Sequence, residues 1–259
     1  MHNQNVKKYL LIMVAVAFAV AAVAACVTLF SVKKVSAEFS VYGDSYAEEI
    51  QNDLDGLKGK NMVFLKESEV YALCDKYPYY EVTAVEKSYP NVLKVSIKKR
   101  MEAFKISDAD KTYVLDGEGH VLSDNGQAEF PQNIVPVSLG ELKISSASLG
   151  EKMVTSDDGL FYSVINASRS AGHIDVVKKI GFELLYDGEN YTGRLVVETY
   201  TGVEIKIFKI EDDGENKIRE AFNKYETLSD YEKSSDKLIV TKNETSGEIY
   251  ADWSKDSEM

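Results

Sequence analysis

The stretch from Pro78 to Ile97, PYYEVTAVEKSYPNVLKVSI, holds two prolines and, after the second, Leu93, Val95 and Ile97 in strict alternation. Proline fixes φ at about −65° and carries no N–H, so Pro78 stops a helix arriving from upstream and Pro90 shapes a turn. The run predicts a strand over 81–87, a turn over 88–91 and a second strand over 92–98 that buries Leu93, Val95 and Ile97.

Working outward toward the N-terminus, Val70, Leu73, Cys74 and Tyr77 fall at helical spacing, which predicts a helix running up to Pro78. Before it, Tyr46, Ile50, Leu54 and Leu57 mark the face of another helix, with Ser45 and Glu48 three apart as a capping box. A Gly-Lys loop over 56–60 separates the two, and VSAEFSVYG, 35–43, reads as a preceding strand. The order is β-α-α-β-β, a small α+β unit.

Just upstream lies YLLIMVAVAFAVAAVAACVTLFSV, residues 9–32, without one charge and flanked by Lys7, Lys8, Lys33 and Lys34. A bilayer core needs roughly 20 apolar residues in a helix, so this segment is long enough to span. Val35-Ser36-Ala37 would satisfy a signal-cleavage rule, but the apolar run exceeds the about 7–15 residues of a signal h-region, which favours an uncleaved anchor. The lysines are balanced across the span and do not orient it. The long C-terminal part does, since such domains translocate largely regardless of charge, leaving residues 1–8 as a cytoplasmic tail.

Beyond the lysine-flanked span the chain carries 26 Lys+Arg against 42 Asp+Glu, a balance of −16. That field disfavours nucleic acid and an anionic lipid surface as partners. The two cysteines, Cys26 in the span and Cys74 outside it, cannot form one bridge, so packing must hold the outer part together. Cys74 on a helix face reads as a small buried hydrophobe.

After Lys111 the pattern changes to hairpins. TYVLDGEGHVLS, 112–123, places two short strands around Asp116-Gly117. A loop with Pro131 and Pro136 follows, then a helix with Phe161, Val164 and Ile165 inward and Gly172 as its stop. Four strands are expected over 173–180, 181–187, 193–199 and 203–209, with Thr201-Gly202 turning the last pair. A helix over 215–228 puts Ile218, Ala221, Phe222, Tyr225 and Leu228 on one face. Strands over 237–241 and 247–253 close the chain.

Catalytic and metal signatures are sparse. Asp116, Glu118 and His120 alternate as a metal set could, but an Asp-Gly hairpin accounts for them. Asp157-Asp158-Gly159 and Asp212-Asp213-Gly214 precede helices, where acids cap amides rather than hold calcium. None of His2, His120 and His173 accompanies a nucleophile motif, and there is no phosphate loop. No catalytic residue, metal ligand, cofactor or small-molecule substrate is therefore expected. SGEIYADW, 246–253, has two readings: a strand that packs Ile249 and Tyr250 into its own sheet, or an edge that accepts a partner strand with Trp253 as anchor.

Taken together, the chain resembles the bacterial division proteins FtsQ and DivIB. The likeness is carried by Val41, Gly43, Asp44 and Ser45 before the first outer helix. It continues through Pro78, Tyr80, Val85, Pro90, Leu93, Val95, Ile97, Arg100 and Ala103, then Val114, Leu115, Asp116, Gly119 and Val121, and last Gly202, Val203, Ile205 and Lys217. It departs from the family pattern at Lys99, Glu102 and Lys209. The resemblance implies a cytoplasmic tail (1–8), one transmembrane helix (9–32), a POTRA domain (33–105), a β-domain (106–253) with two or more helices and an acidic tail (254–259). It implies a non-enzymatic scaffold in the cell membrane at the division septum, with its C-terminal domains outside. Its partners would be FtsL-like and FtsB/DivIC-like proteins that couple it to septal peptidoglycan synthesis. The family's last strand binds the partner, which implies Ile249, Tyr250, Ala251 and Trp253. The alternatives are a secreted enzyme or wall hydrolase cleaved after Ala37, and a POTRA docking protein of an export or assembly pathway.

Overall fold

The computed structural model describes residues 2–40, 46–108, 111–129, 134–170, 174–186, 191–230, 232–234, 237–242, 246 and 248–254. Val41, Gly43, Asp44, Ser45, Pro131, Gly172, His173 and the tail beyond Ser254 lie outside them, and with them the capping box and the expected stop of the 158–170 helix. The chain divides into two compact units, Met1–Lys99 and Arg100–Met259.

The first unit opens with α1, His2–Leu29, which includes an apolar stretch, Leu10–Leu29, long enough to cross a membrane. The helix takes in the expected tail and ends three residues before Val32. After it come β1 (Lys34–Phe39), α2 (Ala47–Asp55), α3 (Glu67–Cys74), β2 (Tyr80–Ser88) and β3 (Val92–Lys99), the β-α-α-β-β order. β3 lies in the middle of the sheet, parallel to β1 and antiparallel to β2. Leu93, Val95 and Ile97 are buried as their alternation requires, against Ile50 and Leu54 of α2 and Val70 and Cys74 of α3. Burying each such side chain contributes about 2 kcal/mol, so this seam is the main apolar term of the unit.

α3 stops sooner than Pro78 demands. It ends at Cys74, and the Tyr77 N–H bonds instead to the Cys74 carbonyl at 2.9 Å. That turn lets Tyr77 and Tyr80 pack edge-on at 6.4 Å, with Tyr46 a further 6.3 Å and 6.1 Å from the two rings. Burial is the first reason that the Cys74 thiol is pushed up to about 11, and the nearby Asp75 and Asp53 carboxylates add to it. At pH 8 roughly one thiol in a thousand is then the reactive thiolate. In a Cys26→Ala background, Cys74 is expected to react with Ellman's reagent only as fast as the unit opens. A stoichiometric burst in the native state would contradict that placement.

The second unit is built on one nine-stranded sheet in the order β14-β13-β12-β11-β10-β7-β4-β5-β6. Its strands are β4 (Glu102–Asp108), β5 (Lys111–Asp116), β6 (Val121–Ser123), β7 (Val135–Ser138), β10 (Val177–Tyr186), β11 (Tyr191–Thr199), β12 (Glu204–Phe208), β13 (Lys237–Lys242) and β14 (Ile249–Ser254). A separate pair, β8 (Ile144–Ser146) and β9 (Val154–Thr155), precedes α4 (Asp158–Ser170), and α5 spans Gly214–Thr227. Phe161, Val164 and Ile165 of α4 and Ile218, Ala221, Phe222 and Tyr225 of α5 are buried in one core with the sheet's apolar side chains.

Three expectations are corrected here. β4 crosses the boundary drawn at 105/106 and belongs wholly to the larger sheet, so the division falls after Lys99. The strands expected over 173–180 and 181–187 are one strand, β10, that runs straight through Gly181. Pro136 sits inside β7 rather than in a loop, in parallel register with Lys105 of β4. β7 pairs over only two or three residues on each side, so a missing donor is tolerated there.

Candidate partner-binding edge

The C-terminal strands are placed by a crossover. β12 and β13 run parallel, joined through α5, and the register sets Glu204 beside Lys237 and Ile207 beside Val240. At the start of the crossover Lys209 has φ 50°, a left-handed conformation that costs a non-glycine residue about 1 kcal/mol. Lys217, 1% exposed, lies against it and donates from Nζ to the carbonyls of Lys209 at 2.8 Å and Phe208 at 3.0 Å. Hydrogen bonds from a charged donor contribute about 1.5–3 kcal/mol, enough to offset the strain. The lysine matched to the family pattern is therefore a buried strut, and Lys209 adopts the backbone that a glycine would take more easily.

Ile249, Tyr250, Ala251 and Trp253 all lie on β14, the last strand of the sheet. Their partners on β13 are Lys242, Thr241, Val240 and Leu238, in six consecutive pairs without a shift. Ile249 and Ala251 are partly buried against the core, and Tyr250 is 44% exposed. The sheet thus uses the face of the strand that carries Ile249 and Ala251, which corrects the packing reading at Tyr250, and the strand's outer edge is unused among the described residues. The side chain of Trp253 lies outside the described residues, so its backbone position opposite Leu238 is what is fixed. The Tyr250 hydroxyl donates to Glu248 Oε2 at 2.7 Å, and that bond is the first cause of a phenol held above its ordinary range.

The other edges of these two sheets are closed in different ways. β6, at the opposite end of the sheet, is covered by the 149–152 segment: the Val121 N–H bonds to the Glu151 carbonyl at 2.9 Å, and the Gly150 N–H to the Val121 carbonyl at 2.8 Å. In the small sheet, Gln51 of α2 occupies the edge of β1, accepting from the Ala37 N–H at 3.0 Å and donating to the Val35 carbonyl at 3.2 Å. β2 carries a register shift between Val82 and Ala84, a bulge of the kind that disrupts edge pairing. β14 has neither a cover nor a bulge among the described residues. Periodicity could not have revealed these closures, because they depend on one glutamine and on a distant loop.

The carboxylate and histidine candidates resolve into structural roles. Asp116 and His120 do meet, and Arg100 fills the space beside them: Nη1 donates to Asp116 Oδ2 at 2.8 Å and lies 2.8 Å from His120 Nδ1. Asp116 Oδ1 accepts the N–H groups of Glu118 and His120, each at 2.8 Å, which closes the hairpin turn. Asp157 and Asp158 accept from Leu160 N–H at 3.0 Å and Thr155 N–H at 2.7 Å, holding the start of α4. Asp213, at φ 61°, adjoins α5, and Asp212 comes within 4.0 Å of Lys217 Nζ.

By sequence the chain matches no family model and no curated protein. Among solved structures it is similar to the major extracytoplasmic domain of the trans isomer of the bacterial cell division protein DivIB from Geobacillus stearothermophilus. The likeness has a TM-score of 0.30 and 12% identity, and it covers 51% of this chain and 98% of that one. At that score the functional reading rests on this chain's own residues.

Proposed function

We propose that this protein is a membrane-anchored, non-catalytic scaffold of cell division that receives a partner strand on the outer edge of β14. The observation that carries the binding mode is that edge: six residues in unbroken register with β13 and uncovered among the described residues. Strand addition draws its affinity from such a row of main-chain groups and its specificity from alternate side chains. The choice of division as the process rests on the sequence resemblance to FtsQ and DivIB. On this reading α1 is the anchor, the chain beyond it stands outside the membrane, and the partners are FtsL-like and FtsB/DivIC-like proteins at the septum.

A fluorescent fusion to the N-terminus should gather at midcell in dividing cells, and an even membrane signal would count against the division role. For the site, Trp253→Ala is expected to weaken capture of the partners' outer segments by roughly 30-fold, the effect of losing an aromatic hot spot of about 2 kcal/mol. Its thermal transition should stay that of the parent chain. A lowered transition would give Trp253 a packing role instead.

A further inference from the structure

The end of the first unit that adjoins α1 carries an apolar tip held in a fixed conformation. Three chain segments meet where α1 ends. The Met62 N–H donates to the Phe30 carbonyl at 2.7 Å, the Val32 N–H to the Lys60 carbonyl at 2.9 Å, and the Gly59 N–H to the Val32 carbonyl at 2.9 Å. From the other side, the Lys33 N–H donates to the Asn91 carbonyl at 2.9 Å, and the Tyr89 ring packs edge-on against Phe30 at 5.9 Å.

Between the buried Met62 and Leu65, the loop turns Val63 and Phe64 outward, 50% and 77% exposed, and Tyr89 beside Phe30 is 57% exposed. The exposure does not come from fraying. Asn61 Oδ1 accepts the Val63 N–H at 2.9 Å, and the Asn61 carbonyl accepts the N–H groups of Phe64 and Leu65 at 3.2 Å and 3.0 Å. Residues 56–66 contain three lysines, Lys58, Lys60 and Lys66, and no acid, and Lys33 and Lys34 are exposed on the adjoining segment. Lys58 and Lys60 pair with Asp55 and Glu69, so the cations this aromatic end offers beside its own apolar helix are Lys33, Lys34 and Lys66.

We propose that Val63, Phe64 and Tyr89 insert into the headgroup region of the outer leaflet of the membrane that α1 crosses, so that the first unit rests on the lipid surface. This rests on the reading of α1 as a membrane anchor. The occupant follows from continuity. Leu29 ends a 20-residue apolar stretch, and Val63 and Phe64 lie one and two residues from Met62, within about 7 Å of a backbone bonded to Phe30. Aromatic side chains favour that depth, and lysines beside them complement lipid phosphates. The negative balance of the whole outer part, which disfavours lipid adhesion in general, does not describe this end.

The test uses the full chain reconstituted in phosphatidylcholine vesicles, in a Trp253→Phe background so that each reporter is the sole tryptophan. Phe64→Trp reports the tip. Lys98→Trp is the reference, near the far end of β3 and about 20 Å along the strand from Val92, which pairs with Lys34. Acyl chains brominated near the headgroup should strongly quench Phe64→Trp and leave Lys98→Trp unchanged. If both tryptophans stay unquenched while the protein resists alkaline extraction, the anchor stands and the lipid contact is refuted. A blue-shifted but unquenched Phe64→Trp means that protein covers the tip, which also refutes it. Release of the protein by alkaline extraction would overturn the anchor and the contact together.

Discussion

Leu93→Asp should abolish the cooperative unfolding of the Met1–Lys99 unit and leave that of Arg100–Met259 in place. Leu93 is fully buried on the middle strand of the small sheet, opposite Val35 on β1 and Lys87 on β2. The cation opposite it, Lys87, is already bonded through Nζ to the Leu65 carbonyl, so a carboxylate there meets the apolar side chains of Ile50, Leu54 and Val70. The substitution loses about 2–5 kcal/mol of packing and adds the cost of burying a charge or protonating it. Domains are stable by about 5–15 kcal/mol in total, and a small one sits toward the low end, so the sum exceeds the margin. Calorimetry of the full chain in detergent should show the transition of the second unit alone, and limited proteolysis should cut within 34–99. Two unchanged transitions would mean that β3 does not lie in the middle of that sheet.

The prediction is a strong one because this part of the fold was legible from local sequence. Alternation at Leu93, Val95 and Ile97 has one explanation when it follows a proline turn, and helical spacing at Ile218, Ala221, Phe222 and Tyr225 likewise has one. What failed was set by tertiary context. Pro136 suggests a loop to any local rule, yet short pairing on both sides accommodates it within β7. Gly181 looks like a break between two strands, but β11 pairs along the full length of β10 and carries it through. α3 ends early, and the Tyr77 turn that follows joins a tyrosine cluster with Tyr46 before α2 and Tyr80 of β2.

The site divides in the same way. That a strand lies near the end of the chain was readable: it is expected over 247–253 and found at Ile249–Ser254. Whether that strand is an edge was not, because strand order is a property of the whole sheet and nothing in SGEIYADW encodes its neighbours. The answer required the parallel crossover through α5, which sets β13 beside β12 and leaves β14 outermost. It also required the closures elsewhere: Gln51 on β1, the bulge in β2 and the 149–152 segment on β6. These leave β14 as the long, regular edge among the described strands.

Ending the chain at Ser246 should lower partner affinity by at least about 100-fold, some 3 kcal/mol, because strand addition loses the whole template and not one side chain. The remaining sheet has reason to survive. β13 keeps its parallel register with β12 from Lys237 to Val240, and α5, which packs on β12, β13 and β14, keeps its contact with the first two and with the core around Ile205, Leu238 and Val240. The loss is the partial burial of Ile249 and Ala251 and the contact of α5 with β14, about 2–3 kcal/mol, which lowers the melting temperature of the second unit by roughly 4–12 °C. Binding to the outer segments of the FtsL-like and FtsB/DivIC-like partners, measured with the full chain and the shortened chain in the same detergent, separates the cases. Loss of binding with a transition shifted only that far places the contact on β14. Affinity retained within about threefold, well under the 1.4 kcal/mol that a tenfold change represents, removes β14 as the site and transfers the search to the first unit. If the shortened chain loses its transition altogether, Trp253→Ala decides, since it tests the same strand in a chain that keeps all of its backbone pairs.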